Sequence, residues 1–190
     1  SVVETTLFNP MMQKITNEEL GRPTPEAFAA QPKLPLTVVL DNVRSANNTG
    51  AFFRTGDAFG IERLVLCGIT GTPPSREIHK SALGAELTVA WEYEADSVEA
   101  VERLREAGYT VLAVEQVRGA VSLEELDLES FGGPTARFAL VFGNEVDGVR
   151  QPVVDLCHGA IEIPQVGTKH SLNVAVSGGV VLWEFFKRLR

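Results

Sequence analysis

Six short aliphatic runs, separated by segments with helical signals, are the feature of this sequence that most restricts its fold. The runs are LTVVL (36–40), RLVLC (63–67), LTVAWEY (87–93), TVLAV (110–114), FALVF (138–142) and AIEIP (160–164). Continuous apolar strands are typical of parallel sheets that helices cover on both faces. In one intervening segment Asp96 can cap a helix, Glu99 follows three residues later and Gly108 can close it. We therefore predict an α/β domain over residues 36–190, with a mostly parallel sheet and helices on both faces.

The first 35 residues differ from the rest in composition. Five of the ten prolines lie there, interrupted by the segment TNEEL. Within it, Thr16 and Glu19 have the spacing of a capping box, in which two side chains satisfy the free amides of a helix start. We predict that residues 1–35 are an N-terminal extension with a short helix at this segment.

Charge and cysteine content exclude several protein classes. A formal net charge of −8 argues against nonspecific coating of nucleic acid, which needs many cationic contacts, but permits a local basic site. The two cysteines and three histidines show no zinc-site spacing, so we expect no metal. We find no signal-peptide pattern and no membrane-spanning run, and we expect a cytoplasmic protein.

Polar residues crowd three strand ends, and ligands of open parallel sheets bind beyond the carboxyl ends of the strands. After the first strand, Asn48 is a candidate N-cap for a helix whose exposed amides favour an anion, and Arg54 follows six residues later. The alternative is that Arg54 pairs with Asp41 or Asp57 on a solvated surface.

The second strand end is the segment ALVFGNEVDGV (139–149). Gly143 permits a tight turn, and Asn144 and Glu145 are turn residues before a helix that we predict to begin near Val149. The alternative for this segment alone is a plain connection between a strand and a helix.

The third strand end leads into the C-terminal helix. Pro164 ends the strand, and Ser171 and Asn173 bracket the start of a long apolar helix. That helix contains Gly178 and Gly179, which lower helix stability unless another group approaches the backbone closely. Its basic last turn suits the helix dipole and needs no functional explanation.

These stretches carry no dinucleotide fingerprint, Walker loop, nucleophile elbow or zinc-protease motif. Taken in order, they resemble the three motifs of the SpoU/TrmH family of RNA ribose 2′-O-methyltransferases, within the SPOUT superfamily. The matching motifs are Asn-x-Gly-x-x-x-Arg-Thr at 48–55, Gly-Asn-Glu with Gly-Val at 143–149, and Ile-Pro, Gly and Ser-Leu-Asn-Val within 163–174. HKSALGAE (79–86) is similar to a further family stretch. The resemblance covers residues 36–190, and three motifs in order are highly specific.

The resemblance implies S-adenosylmethionine bound in a trefoil knot of the C-terminal third, and a homodimer whose active site is completed across subunits. The implied catalytic residues are Asn48, Arg54, Glu145, Ser171 and Asn173. The implied cofactor-binding residues are Phe142, Gly143, Asn144, Ile163, Gln165, Leu172 and Asn173. Two positions depart from the family pattern: Gln165 replaces an apolar residue that is often Met, and Ala175 replaces a common Ser.

The resemblance also implies residue roles. Arg54 would lie at the ribose 2′-hydroxyl, with Asn48 orienting Arg54 or the ribose and Glu145 holding Arg54. Ser171 and Asn173 would position the hydroxyl and the cofactor. Removing a proton from an arginine at pH 7 costs on the order of 8 kcal/mol, because its reference pKa is near 13. We therefore expect charged Arg54 to anchor the adjacent phosphate and stabilise the developing alkoxide, while the phosphate or water takes the proton.

RNA contacts are expected from cationic residues in loops near the predicted site, each of which alone is also compatible with a solvated surface charge. These residues are Arg44, Arg76, Lys80 and Lys169. The substrate would be a transfer or ribosomal RNA. Two other hypotheses stay open: a noncatalytic RNA-binding or ribosome-assembly protein that retains the fold, and a doubly wound nucleotide-binding metabolic enzyme.

Overall fold

The computed structural model describes residues 12–190. Tertiary contacts divide the chain into Ser1–Gln31 and Pro32–Arg190. The second unit contains seven strands, β1 Leu34–Asp41, β2 Ile61–Cys67, β3 Trp91–Glu94, β4 Thr110–Val114, β5 Val121–Ser122, β6 Phe138–Gly143 and β7 Gly159–Glu162. They form one sheet in the order β3-β2-β1-β6-β4-β7-β5, and every strand pair is parallel. The predicted parallel sheet is confirmed.

Helices cover both faces of this sheet, as predicted. They are α2 Ala46–Phe59, α3 Arg76–Ala82, α4 Ser97–Glu106, α5 Gln151–Leu156 and α6 Val174–Leu189, with α1 Pro25–Ala30 in the first unit. Successive strand side chains point to opposite faces. Val38 therefore packs in a core with residues of α2 and α6, whereas its neighbour Val39 packs in a second core with residues of α4 and α5. Both valines are fully buried.

The predicted strand at residues 87–93 is only partly correct. A 3-10 helix occupies Ala85–Leu87, and β3 begins at Trp91. The amides of Thr88 and Val89 donate to the carbonyl of Ala85 at 3.1 and 2.9 Å, so this backbone is satisfied locally and has no need of a sheet partner.

The predicted helix at TNEEL is wrong, although its capping contacts form. The amide of Thr16 donates to Glu19 at 2.6 Å, and the amide of Glu19 donates to the Thr16 hydroxyl at 3.3 Å. The segment then ends as a turn at Gly21, which has a φ of 59°. Pro23 follows, and proline disfavours a helical conformation in the residue before it. The helix of this unit is α1, where Pro25 occupies an early position that suits its missing amide.

Candidate functional site

A pocket of about 440 Å³ lies at the carboxyl ends of β4, β6 and β7. All of the predicted cofactor-binding residues line it: Phe142, Gly143, Asn144, Ile163, Gln165, Leu172 and Asn173. Two further predicted site residues, Glu145 and Ser171, also line it. The volume lies within the range of about 300–1,000 Å³ that is usual for small-molecule sites.

Gly143 is required by the loop that follows β6. A Cβ added there would lie 2.0 Å from the carbonyl carbon of Gly148, because the loop returns past the strand end. The loop is closed by paired backbone hydrogen bonds between Asn144 and Gly148, at 3.1 and 2.9 Å. The Asn144 side chain also accepts from the amide of Val146 at 2.8 Å. These bonds keep the backbone out of a helix, and α5 begins at Gln151, two residues later than predicted.

Glu145 joins this loop to the start of α2. Its carboxylate accepts hydrogen bonds from the amides of Arg44 and Ser45 and from the Asn48 side chain, each at 2.9 Å. Burial alone would raise the pKa of Glu145, but these hydrogen bonds outweigh it and hold that pKa below its ordinary value. Glu145 therefore stays ionised and supplies the negative charge that a helix N-terminus favours.

Asn48 is not the N-cap of α2, contrary to the prediction. Ser45 is the cap, and its hydroxyl accepts from the Asn48 amide at 3.2 Å. The Asn48 side chain is instead buried and lies between Glu145 and Asn173. The side-chain amide of Asn173 donates to Oδ1 of Asn48 at 3.2 Å. Three predicted catalytic residues thus form one hydrogen-bonded chain.

Arg54 lies on the exposed surface of α2, outside the residues that line the pocket. Between residues 12 and 190 its guanidinium has no hydrogen bond or ion pair, so the predicted contact with Glu145 is not made there. The alternative pairings are also not made. Asp41 contacts Arg150 instead, and Asp57 accepts from Thr88 at 2.5 Å.

Asn173 begins the C-terminal helix α6, as predicted from the sequence. Its side chain accepts from the amides of Ala175 and Val176 at 2.9 and 3.1 Å. Of the paired glycines, Gly178 is closely approached, since an added Cβ would lie 2.4 Å from the Phe52 ring. Gly179 has nothing within 4 Å in the described chain, so the expected close approach is absent there.

The sequence reasoning missed several pocket residues, and two of them are polar side chains that follow a strand. Glu115 and Gln116 follow β4 directly and line the pocket. Glu115 accepts from the amide of Val149 at 2.9 Å, and Gln116 donates to the carbonyl of His170 at 2.9 Å. Ligands of parallel sheets bind beyond the carboxyl ends of strands. Because Glu115 and Gln116 directly follow the apolar run TVLAV, the same rule could have identified them from the sequence.

The four predicted RNA-contacting residues are all exposed. Arg44 precedes α2 and Lys169 lies in the loop before α6, as predicted, whereas Arg76 and Lys80 lie on α3 and not in loops. Lys80 pairs with Glu77 at 2.8 Å, which reduces its availability for a phosphate. Arg76 contributes to a second cleft, which Trp91 also lines.

Across residues 12–190, no cluster of three or more cysteine, histidine or acidic side chains has an arrangement that could hold a metal ion. In the same range, no helix is both long enough and apolar enough to cross a membrane.

The fold and the pocket define a class of protein: an α/β domain that binds a small-molecule ligand beyond the carboxyl ends of parallel strands. Residues 35–183 match the SpoU rRNA Methylase family. The chain belongs to this family, in agreement with the resemblance found in the motifs.

Named relatives and solved structures agree with this assignment. The tRNA (guanosine(18)-2'-O)-methyltransferase of Thermus thermophilus is 36% identical over 149 residues, which cover 78% of this chain and 73% of the relative. The 23S rRNA (guanosine-2'-O-)-methyltransferase RlmB of Nitrosomonas europaea is 32% identical and matches 80% of this chain, which spans only 56% of that relative. The AdoMet-bound rRNA methyltransferase structure from Sinorhizobium meliloti has a TM-score of 0.74 at 28% identity, covering 86% of this chain and 60% of that one.

Proposed function

We propose that this protein transfers a methyl group from S-adenosylmethionine to a ribose 2′-hydroxyl of a transfer or ribosomal RNA. One observation carries the proposal: every residue predicted to bind the cofactor lines a single pocket. The loop that forms one wall of this pocket also holds, through Glu145, the helix that carries Asn48 and Arg54.

The chemistry of the pocket fits the proposed cofactor. Ile163 and Leu172 give it apolar surface, and the Gly143 loop and Gln165 add polar groups. Glu115 lines the same pocket, and its charge favours a cationic ligand. When bound, S-adenosylmethionine supplies a methyl group that its sulfonium already activates, so the protein has only to align the hydroxyl and manage its proton.

Glu145 acts by positioning, because its carboxylate already accepts three hydrogen bonds from the start of α2. It fixes Asn48, which in turn contacts Asn173 at the start of α6. We assign to Ser171, an exposed residue that lines the pocket, a contact with substrate. We assign to Arg54 the role of anchoring phosphate and stabilising the alkoxide.

The proposal includes a homodimer in which Arg54 of the partner subunit completes the site. Arg54 is exposed and lies outside the pocket lining of its own chain. Helix α6 begins beside the pocket and exposes an apolar stripe of Val176, Val180 and Trp183, which are 54%, 41% and 46% exposed. A second copy packed against this stripe would bury it, and symmetric pairing of this kind is the commonest protein assembly.

The RNA would be held by Arg44, Arg76, Lys80 and Lys169 around a small patch, since the net charge of −8 opposes a large electrostatic footprint. The proposal places the protein in the cytoplasm. A noncatalytic binding or assembly role is less well supported, because the Glu145, Asn48 and Asn173 network is complete.

Methyl transfer to RNA is the direct test. The protein is incubated with labelled S-adenosylmethionine and total RNA from a strain that lacks the gene, and the labelled RNA is fractionated. We expect label in one RNA class with the natural protein and with Arg105→Ala, a control that removes an exposed arginine on α4. Arg54→Ala should give almost none. Cofactor binding without label in any RNA would support the noncatalytic role.

Mixed dimers test whether the site is shared between subunits. Arg54→Ala and Leu172→Asp, which places a charge in the pocket, are co-expressed with different tags, and the mixed species is purified. If Arg54 acts on the partner's pocket, one intact site remains and about half of the natural activity returns. If it acts within its own chain, the mixed dimer is inactive.

A further inference from the structure

A buried carboxylate lies directly beside the cofactor pocket without lining it. Asp41 ends β1 between β2 and β6, and it is fully buried. Burying a charge is costly unless it is paired and hydrogen-bonded. Asp41 accepts from Asn42 at 2.9 Å and from the Ser97 hydroxyl at 2.6 Å. It also accepts from the amide of Arg150 at 3.1 Å and from its Nε at 3.4 Å.

Arg150 thus contacts Asp41 through both its backbone and its side chain. Its guanidinium also donates to the Ser97 hydroxyl, and it reaches Asp96 at 3.3 Å. Asp96 caps α4, so Arg150 ties the end of the 143–150 loop both to β1 and to the start of a helix on the sheet.

The opposite end of the same loop is held by the residue that follows β1. The Asn144 side chain donates to the carbonyl of Asn42 at 2.8 Å. Asp41 and Asn42 therefore hold the loop at both ends, and Glu145 between them holds the start of α2. A shift of either end would move the pocket wall relative to Asn48.

We propose that the Asp41–Arg150 pair is a positioning device for methyl transfer, one that sets the 143–150 loop against the start of α2. Neither residue lines the pocket, so the pair acts through the loop and does not touch the cofactor. This role rests on the proposed function, in which the loop binds S-adenosylmethionine. Asp41→Asn keeps the size of the side chain but removes the charge and one of the two oxygens that accept from Arg150.

The test measures cofactor affinity by calorimetry, thermal unfolding, and hydrogen exchange of the loop amides in the full chain. We expect Asp41→Asn to weaken S-adenosylmethionine binding by about tenfold, which is 1.4 kcal/mol, and to speed exchange in residues 144–150. Arg150→Met should also weaken binding, because it leaves the buried Asp41 carboxylate without its cationic partner. Arg150→Lys should recover part of the loss, and the KM for RNA should not change.

Glu62→Gln is the matched control. It breaks the ion pair between Arg137 and Glu62, whose nitrogen and oxygen atoms are 3.4 Å apart. Glu62 lies at the start of β2, whereas the pocket lies at the carboxyl ends of other strands. We expect it to lower the unfolding temperature while leaving cofactor affinity and loop exchange unchanged.

The proposal is overturned if Asp41→Asn and Arg150→Met lower the unfolding temperature as Glu62→Gln does but leave affinity and loop exchange unchanged. If the natural protein binds the cofactor but methylates no RNA, the proposed function fails while the affinities still decide the role of the pair. If the natural protein binds no cofactor, the proposed function and this role both fail. Loop exchange in Asp41→Asn then shows only whether the pair holds the loop as part of the fold.

Discussion

Replacing Gly143 with alanine should damage the cofactor pocket far more than it damages the fold. An added Cβ would lie 2.0 Å from the carbonyl carbon of Gly148, 2.1 Å from the nitrogen of Val149 and 2.4 Å from the carbonyl oxygen of Gly148. All three are backbone atoms, so no side chain can rotate away. The loop must move outward by more than 1 Å to restore an ordinary contact of about 3.4 Å.

The cost of this movement follows from the hydrogen bonds that it breaks. Both bonds between Asn144 and Gly148, and the bond from Val149 to Glu115, join the parts that must separate. At about 0.5–1.5 kcal/mol each, the loss of these three bonds lowers the free energy of unfolding by roughly 1.5–4.5 kcal/mol. A domain of ordinary stability, about 5–15 kcal/mol, stays folded after such a loss.

Calorimetry with S-adenosylmethionine and chemical unfolding together test this reasoning. Gly143→Ala should show a cofactor affinity reduced by at least about tenfold, together with the loss of stability. Gly71→Ala is the control, because its Cβ would lie at an ordinary 3.6 Å from the side chain of Ile78. The reasoning is refuted if the two variants have the same affinity and the same unfolding midpoint.

Three further predictions concern stability, pH and thiol reactivity. Gly178→Ala should destabilise the protein by about 1–3 kcal/mol, because its Cβ would lie 2.4 Å from an aromatic ring. Gly179→Ala has open space in the described chain and should gain about 0.5–1 kcal/mol of helix stability in thermal unfolding of the monomer. The pKa of Glu145 is lowered from 4.5, so its contribution to stability is present above that pH and is lost as the pH falls through the folded-state value. Stability measured from pH 6 to pH 3 should therefore fall less steeply in Glu145→Gln, and equal slopes would contradict this. Burial raises the pKa of the Cys67 and Cys157 thiols to about 12, so neither should react with a thiol reagent at pH 8 until the chain is unfolded, and rapid native labelling would count against it.

The fold class was predictable because burial on both faces leaves a direct mark in the sequence. A strand such as β1, which is covered on one side by α2 and α6 and on the other by α4, must be apolar at successive positions. The same signal misplaced the start of β3, because LTVAWEY is apolar before Trp91 although its first residues close a 3-10 helix. Leu87 in this run is 84% exposed, so an apolar run here marks neither burial nor a strand, and a short run does not distinguish a strand from a helical turn.

The pocket residues were found for a different reason. Polar residues that directly follow an apolar run mark the ends of strands, and parallel strands bring those ends to one edge of the sheet. The family motifs then selected which of these residues bind a cofactor. The trefoil knot implied by the same motifs stays a prediction.

The identity of the cap on α2 could not be read locally. Ser45 and Asn48 are both residue types that cap helices well, so their neighbours in the chain do not decide between them. The cap is decided by Glu145, which lies about a hundred positions away in the chain. Glu145 accepts from the Ser45 amide and from the Asn48 side chain, so the Asn48 side chain is engaged there and Ser45 is the cap.

The sequence by itself determined the parallel sheet and the three polar strand ends, because burial and turn chemistry act on neighbouring positions. The family motifs then marked part of the pocket. Only the tertiary structure decided how those strand ends are joined. The pairing of Asp41 with Arg150 and of Asn48 with Asn173 connects residues 109 and 125 positions apart. Such contacts depend on the order in which strands meet in the sheet, and no local pattern encodes that order.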